Sequence, residues 1–276
     1  MQRLLLMARA RWLAWLGDGA RLAGRYGLAE RKVGEALGLA EHARAVDGML
    51  GAGILNSLGM VHKYQGRFGD AARAYLRALR IAKRCLPPEH RFFADLYHNL
   101  GGLEHSRGRF ARGEVFARRA ATLREHLLGP SHPAVACDLE ALAAILDGMR
   151  HRDAESLHLR ALAVFERQIP RDRHEIALAL GNLAACYQSM GRSAEAEETA
   201  RRALALQERV FGPTHPDVGL TLANLGVIEK SRGRFAEADR SFRRALEILE
   251  KRLGAGHPIT ETCRENGVKL RANSVF

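Results

Sequence analysis

Residues 222–249 read LANLGVIEKSRGRFAEADRSFRRALEIL, and this stretch decides the fold. In its second half, one stripe at helical spacing is apolar or small, formed by Ala238, Phe242, Ala245, Leu246 and Leu249. Charged residues occupy the opposite face, which is typical of an amphipathic helix. The first half repeats the apolar pattern with Leu222, Leu225 and Gly226. Between the halves, Gly233 suits a turn conformation that a β-carbon resists, so the stretch predicts two helices packed against each other.

The same pattern recurs along the chain at a nearly constant period. A leucine followed by a small residue occurs at intervals of 41 or 42 residues, at Leu16, Leu58, Leu100, Leu142, Leu183 and Leu225. A Gly-Arg turn follows eight residues after five of these leucines, starting at Gly24, Gly66, Gly108, Gly191 and Gly233. A fixed period of this length predicts an array of similar helix pairs, none of which buries its apolar face alone.

The repeated residues resemble a known family. Leu58-Gly59-x-x-His62, followed by Ala71-x-x-x-Tyr75 and Ala78, is similar to the tetratricopeptide signature, whose period is about 34 residues. Here the extra residues carry a linker such as Leu128-Gly129-Pro130-Ser131-His132-Pro133, and the longer unit resembles the kinesin-light-chain type of tetratricopeptide repeat. The resemblance implies an all-α, right-handed α-solenoid of stacked antiparallel helix pairs, with the first helices lining a concave groove.

We predict a single solenoid domain over residues 1–276. The helix pairs are expected at about 8–48, 53–92, 95–134, 137–175, 178–217 and 220–258, with a closing helix over 259–272. The fourth pair departs from the pattern, because Gly148-Met149-Arg150-His151 replaces Gly-Arg-Phe and the following linker, 169–174, lacks its glycine. We expect an irregular turn and a local change in superhelical pitch there.

The composition favours acidic partners. The chain has 43 Lys and Arg against 31 Asp and Glu, a formal charge of +12. Nucleic acid, anionic lipid and acidic peptides all suit such a chain, and so does a solvated Arg-rich surface with no polyanion partner. No apolar run approaches the ~18–20 residues that span a membrane, so we expect no membrane partner. The four widely spaced cysteines favour free thiols in the cytoplasm.

Neither a metal, nor a cofactor, nor catalysis is predicted. Histidines recur once per repeat, at His90, His132, His174, His215 and His257. Metal ligands must converge, whereas each of these histidines opens a different helix, so we expect a structural role in the linkers. Motifs for phosphate binding, zinc proteases and serine hydrolases are absent from the sequence. Acidic pairs such as Glu195 and Glu197 are expected on exposed helix faces, so we predict a binding protein rather than an enzyme.

A row of asparagines is the main candidate for partner binding. An asparagine directly precedes the packing leucine at Asn99, Asn182 and Asn224. Asn266 lies 42 residues after Asn224 and continues the row. The family resemblance implies that these side chains hydrogen-bond an extended peptide, since an amide both donates and accepts. The alternative is a local bond within the same repeat. Further groove candidates are Asn56, Lys63, Tyr64, His98, His105 and Arg232, of which Lys63 and Arg232 would attract a carboxylate.

These observations predict a scaffold or adaptor that holds an extended peptide or a helix of a partner protein in the concave groove. An acidic partner is left open, as is the oligomeric state. The alternative is binding of nucleic acid or another polyanion to the second helices, which form the convex face in this family. These helices carry many arginines, including Arg73, Arg118, Arg201, Arg243 and Arg244.

Overall fold

The amphipathic stretches fold into α-helices joined by short turns. A computed structural model describes residues 1–168 and 173–273, and in these residues every regular element is helical. The helices are α1 (Gln2–Leu22), α2 (Tyr26–His42), α3 (Met49–Tyr64), α4 (Phe68–Cys85), α5 (Arg91–Ser106), α6 (Phe110–Leu128), α7 (Pro133–Gly148), α8 (Ala154–Gln168), α9 (Arg173–Ser189), α10 (Ser193–Phe211), α11 (Pro216–Ser231), α12 (Phe235–Leu253) and α13 (Pro258–Asn273). The predicted all-α fold of stacked antiparallel helix pairs is confirmed.

The chain divides into two compact units, residues 1–129 and 130–276. The first unit holds the pairs α1–α2, α3–α4 and α5–α6, and the second holds α7–α8, α9–α10, α11–α12 and the closing helix α13. The assignment of a single domain with repeats bounded at 8–48 through 220–258 stays a prediction.

Glycines in the first helices let the two helices of a pair approach closely. A β-carbon on Gly59 would lie 2.5 Å from the ring of Tyr75, a side chain that is fully buried in the first unit. A β-carbon on Gly226 would lie 3.0 Å from the ring of Phe242 in the second unit. In these two pairs the small residue after the packing leucine therefore makes room for an aromatic ring of the second helix, and the repeat pattern predicts such a close approach.

The turn within each regular pair has a left-handed glycine. The φ angles of Gly66 and Gly233 are +73° and +75°, a region that side chains with a β-carbon rarely adopt. In the fourth pair Arg150 occupies this region with a φ of +53°. The backbone of this turn therefore has the left-handed conformation and the hydrogen bonds of the regular turns, so the irregular turn expected there is wrong at Arg150, although α8 begins only at Ala154. The linker after this pair, 169–172, lies outside the described residues.

Histidines begin helices by capping their first N–H groups. The ring Nδ1 accepts a hydrogen bond from the backbone N–H two residues further on, at 3.1–3.2 Å, in His90, His132, His215 and His257. Three of these caps precede a proline at the first helical position, where no backbone N–H is needed. The linker role predicted for these histidines is confirmed.

The first helices of successive pairs contact one another within each unit. In the first unit α3 touches both α1 and α5, and in the second unit α9 touches α7 and α11, which in turn touches α13. Among the described residues, no two second helices approach each other as extensively. The first helices therefore form the inner layer of each unit. None of the described helices is long and apolar enough to cross a membrane.

Candidate partner-binding surface

Two members of the asparagine row connect successive first helices. The Nδ2 of Asn99 donates to Oδ1 of Asn56 on the preceding first helix, at 2.8 Å. The Nδ2 of Asn182 donates in the same way to Oε2 of Glu140, at 3.0 Å. Each bond spans one repeat, so these asparagines are used between repeats, which neither of the two sequence-based alternatives anticipated.

The other two asparagines have no counterpart of this kind. Asn224 lies on α11 and Asn266 on α13, and both side chains are half-buried. In the register that pairs Asn99 with Asn56, their partners would be Gly181 and Ala223, whose side chains offer no polar atom. The bond between repeats is therefore not available to Asn224 and Asn266 at this position.

Glu140 also belongs to a buried pair that sequence reasoning missed. Both of its carboxylate oxygens lie 3.1 Å from Nδ1 of His158, which is 1% exposed. Asn182 supplies a third contact, so the carboxylate is satisfied from two neighbouring helices. A signal was present, because Glu140 stands two residues before its packing leucine, in the register of Asn56.

Lys63 and Tyr64 form a polar cluster with Arg21 and Tyr26 in the first unit. The ring of Tyr64 stacks on that of Tyr26, with centroids 5.4 Å apart and planes 6° from parallel. The Nζ of Lys63 lies 5.7 Å from the Tyr64 centroid, and Cζ of Arg21 lies 5.8 Å from it. Two cations thus gather at one exposed aromatic ring, where each gains a favourable cation–π contact.

The positive charge of Lys63 is poorly neutralised by its surroundings. Burial, followed by the positive charge of Arg21, lowers the pKa of Lys63 to about 8. Its Nζ reaches the next first helix, where a β-carbon on Gly102 would lie 2.9 Å away. In the described part of the chain no carboxylate forms an ion pair with Lys63, whereas Arg21 has Asp18 at 3.6 Å. The site is thus a half-buried cation that lacks an anion.

The remaining candidates of the first unit share one face of α5. His98 and His105 are seven residues apart, so they lie on the same side of the helix, and both are half-buried. The ring of His105 lies 5.6 Å from that of Phe110. Both histidines are partly accessible beside Asn99 and the Lys63 site.

Arg232 is engaged within the chain. Its Nε lies 3.2 Å from Oε2 of Glu197, which also contacts Arg201 and Arg234. Burial opposes ionisation of Glu197, but the hydrogen bond from Arg234 and the three positive charges outweigh it and lower the pKa of this carboxyl. Glu197 is only 4% exposed, so its expected position on an exposed face is wrong. Arg232 therefore already has an anionic partner, unlike Lys63.

The arginine of the Gly-Arg turn pairs with the preceding repeat, a role that sequence reasoning also missed. The turn arginine bonds a glutamate of the preceding second helix 37 residues earlier, in the pairs Arg67–Glu30, Arg192–Glu155 and Arg234–Glu197. The recurring spacing of 37 residues was the available signal. The residue 37 positions before Arg109 is Ala72, which has no carboxylate, so Arg109 cannot form this ion pair.

Several arginines on the second helices are paired with carboxylates. Such pairs join Arg73 with Asp70, Arg118 with Glu114, Arg201 with Glu197, Arg243 with Asp239, and Arg244 with Glu208. This pairing offsets part of the positive charge on that face, and to that extent it weighs against the polyanion alternative. Among the described residues, no group of three or more His, Cys, Asp and Glu side chains is placed to hold a metal ion.

Comparison with known sequences identifies the repeat. The sequence pattern described as "Tetratricopeptide repeat" matches residues 92–167 and 175–265, and a second pattern of the same description matches residues 52–91. No curated protein sequence matches the chain significantly.

Solved structures with the same repeat architecture cover most of the chain. BtubC (BKLC) from P. vanneervenii is 27% identical, with a TM-score of 0.56 over 83% of this chain and 91% of that protein. A putative kinesin light chain of Podospora anserina, with nearly identical TPR-like repeats, is 18% identical, with a TM-score of 0.52 over 71% of this chain and 94% of that one. A Rap protein complexed with competence and sporulation factor is 16% identical, with a TM-score of 0.67 over 99% and 89%. The resemblance to the kinesin-light-chain type of repeat is thus confirmed.

Proposed function

Because the chain belongs to the tetratricopeptide repeat family, we propose that it is a protein-interaction scaffold whose first helices bind an extended peptide or a helix of a partner protein. An acidic group of that partner occupies the site formed by Lys63, Arg21 and Tyr64. The observation that carries this proposal is the half-buried ammonium of Lys63, which has a second cation beside it and, among the described residues, no carboxylate in an ion pair with it.

A ligand carboxylate would complete this site. It would form a charge-assisted hydrogen bond with Lys63 and would offset the repulsion between Lys63 and Arg21. The face of Tyr64 beside them suits an apolar neighbour of the acidic residue. Arg232 is a weaker candidate for the same task, because Glu197 already neutralises it.

Polar side chains around the site suit the main chain of a peptide. Asn56 lies two helical turns before Lys63 on α3, and its bond with Asn99 leaves both residues half-buried on the inner layer. His98 and His105 lie along α5 on the same side. In the second unit, the amides of Asn224 and Asn266 are the members of the row that suit a peptide backbone best, since no side chain in register competes for them.

The proposed role is that of an adaptor or inhibitor that performs no reaction of its own. We place it in the cytoplasm, because all four cysteines are free thiols and a reducing compartment keeps them so. A preorganised surface of shallow contacts costs the scaffold little ordering when the partner binds.

The test is selection from a displayed library of random peptides on immobilised full-length protein. We expect the selected peptides to be enriched in Asp and Glu, and to lose affinity about tenfold or more for the variant Lys63→Met. The matched control is Lys251→Met, which removes the same charge from an exposed position on the second helix α12.

Peptides without acidic enrichment, or equal affinity for both variants, would overturn the proposed site. The polyanion alternative is tested in parallel with a single-stranded RNA homopolymer. RNA binding in the absence of any peptide selection, unchanged by Lys63→Met, would move the function to the second helices.

A further inference from the structure

The outer side of α1 carries an uncovered apolar stripe. Its large members are Leu5, Trp12, Trp15 and Leu22, which are 65%, 56%, 69% and 57% exposed. Ala8 and Gly19 complete the stripe and are also exposed. Exposed tryptophans are uncommon on soluble proteins, and two within four residues mark a surface that something covers.

The repeat register shows what covers this face in other first helices. Trp12 stands four residues before its packing leucine, and the residues at that position in later first helices are Ile54, Leu96, Asp138, Ala179 and Thr221. All of these are at most 4% exposed. Within each unit the preceding helix pair lies against the helices that carry Ile54, Leu96, Ala179 and Thr221. Within the described chain no helix pair lies against this face of α1.

The stripe is not shaped for one more repeat of the same kind. The residues at the position of Trp15 in later first helices are Ser57, Asn99, Ala141, Asn182 and Asn224. This position therefore holds a small side chain in every later repeat, whereas α1 presents an indole. The occupant of this face differs from a stacked helix pair.

The spacing of the stripe is a palindrome. Residues 5, 8, 12, 15, 19 and 22 follow one another at intervals of 3, 4, 3, 4 and 3, which is the seam of a coiled coil. Reversing the helix about the midpoint of the stripe, between Leu13 and Ala14, exchanges Leu5 with Leu22, Ala8 with Gly19, and Trp12 with Trp15. Each side chain is exchanged with one of similar size, so the face is complementary to itself in the antiparallel direction.

We propose that a second copy of this chain covers the stripe, with the two α1 helices packed antiparallel about a twofold axis. A twofold interface requires a self-complementary surface, and the palindrome supplies one. Two Trp12–Trp15 layers meet at the centre, the small residues Ala8 and Gly19 flank them, and Leu5 meets Leu22 at each end.

Charges beside the stripe fit the same arrangement. Asp18 is the only acidic residue of α1, and it lies on the same flank as Arg11. In the antiparallel register, Arg11 lies about 3 Å along the helix axis from Asp18 of the second copy, because each residue rises about 1.5 Å. Asp18 also accepts a hydrogen bond from Ser57 and lies 3.6 Å from Arg21 in its own chain, so Arg11 would join an existing cluster. On the other flank, the stem of Arg9 meets Leu16 of the second copy. A parallel pair would instead place arginine against arginine.

The first test is the molar mass of the full chain in solution, measured by sedimentation or by light scattering over a range of concentrations. We expect twice the 30.5 kDa of one chain, and a monomer for the double variant Trp12→Glu, Trp15→Glu. Each single replacement should weaken the dimer about 30-fold or more, as buried aromatic anchors do. The matched control is Leu159→Glu, at a 43% exposed leucine on α8, which should remain a dimer.

The second test reads the register directly in a Cys85→Ser background, which removes the exposed native thiol. Ala8→Cys and Gly19→Cys are made as separate proteins, since both positions are exposed and a β-carbon on Gly19 meets nothing within 4 Å. We expect oxidation to give a cross-linked dimer when the two proteins are mixed, and little when either is alone. A monomer at about 100 µM, a dimer that survives the double tryptophan variant, or cross-linking of Ala8→Cys alone would each overturn the proposal.

Discussion

The guanidinium of Arg192 donates from Nη1 to Oε1 of Glu155 at 2.7 Å, and so ties the turn of the fifth helix pair to the second helix of the fourth. The same guanidinium bonds Glu195 and lies 4.4 Å from the ring centroid of Tyr187. One residue of the turn thus connects three elements. The Gly-Arg motif therefore connects successive repeats. Its glycine adopts the left-handed backbone conformation of the turn, and its arginine binds the second helix of the preceding repeat.

The third helix pair lacks the ion pair between its turn arginine and the preceding second helix, and a single substitution should create it. Ala72 stands 37 residues before Arg109, where the other turns have a glutamate. We expect Ala72→Glu to raise the free energy of unfolding by up to about 1 kcal/mol, because a partly exposed ion pair between fixed elements contributes on that order. Glutamate is also well tolerated inside a helix. Chemical denaturation of the two proteins measures the difference.

A double-mutant cycle isolates the pair from other effects of the new glutamate. In an Arg109→Met background the same Ala72→Glu replacement should have no stabilising effect. An equal gain in both backgrounds would show that the glutamate acts without Arg109.

A β-carbon at the turn glycine is expected to lower stability. The φ of Gly233 is +75°, and a left-handed conformation costs a side-chain-bearing residue about 1–2 kcal/mol, with more for a β-branched one. We therefore expect Gly233→Val to lower the midpoint of thermal unfolding. Gly34→Ala is the control, since Gly34 is exposed within α2 with open space around it, and it should stabilise by up to about 1 kcal/mol. A harmless Gly233→Val would contradict the turn geometry.

The fold followed from the sequence because it depends on local and periodic signals. Leucines 42 residues apart, the seat of Tyr75 at Gly59 and the turn glycines each act within one repeat, so a single period reveals them all. Arg150 shows where the pattern stops being informative, because the missing glycine predicted an irregular turn, whereas in the structure an arginine adopts the left-handed conformation of the other turns.

The candidate binding site could be predicted only in part from the spacing of residues in the sequence. Sequence spacing placed Lys63 and Asn99 on first helices, but the anion that neutralises a charge comes from another repeat. Arg232 and Lys63 look alike in sequence, and only the neighbouring Glu197 distinguishes a satisfied cation from an unsatisfied one. Pairing across repeats was detectable as a spacing of 37 residues once the structure had indicated which residues to compare.

The asparagine row should separate into two functional groups. We expect Asn182→Ala to cost about 1.5–3 kcal/mol, because it removes a hydrogen bond to the buried carboxylate of Glu140. Asn99→Ala should cost about 1 kcal/mol, since its bond joins two neutral amides. The double variant Asn224→Ala, Asn266→Ala should change stability by less than about 0.5 kcal/mol and yet weaken binding of a selected peptide. Urea denaturation and peptide affinity, measured on the same preparations, distinguish the groups; a large loss of stability in the double variant would make all four asparagines structural.

The depressed pKa of Lys63 should be visible as a pH dependence of stability. The folded chain releases the proton of Lys63 at a pH of about 8, whereas the unfolded chain holds it up to about 10.5. Between these values the unfolded state binds more protons, so the free energy of unfolding of the wild type should rise with pH relative to Lys63→Met. The comparison is needed because burial raises the pKa of Tyr75, which opposes folding at high pH equally in both proteins. A difference that stays flat from pH 7.5 to pH 10 would mean that Lys63 is solvated or paired, and the carboxylate site would lose its support. A difference that rises, and that diminishes when a selected acidic peptide is bound, would show that the peptide stabilises the charged form of Lys63.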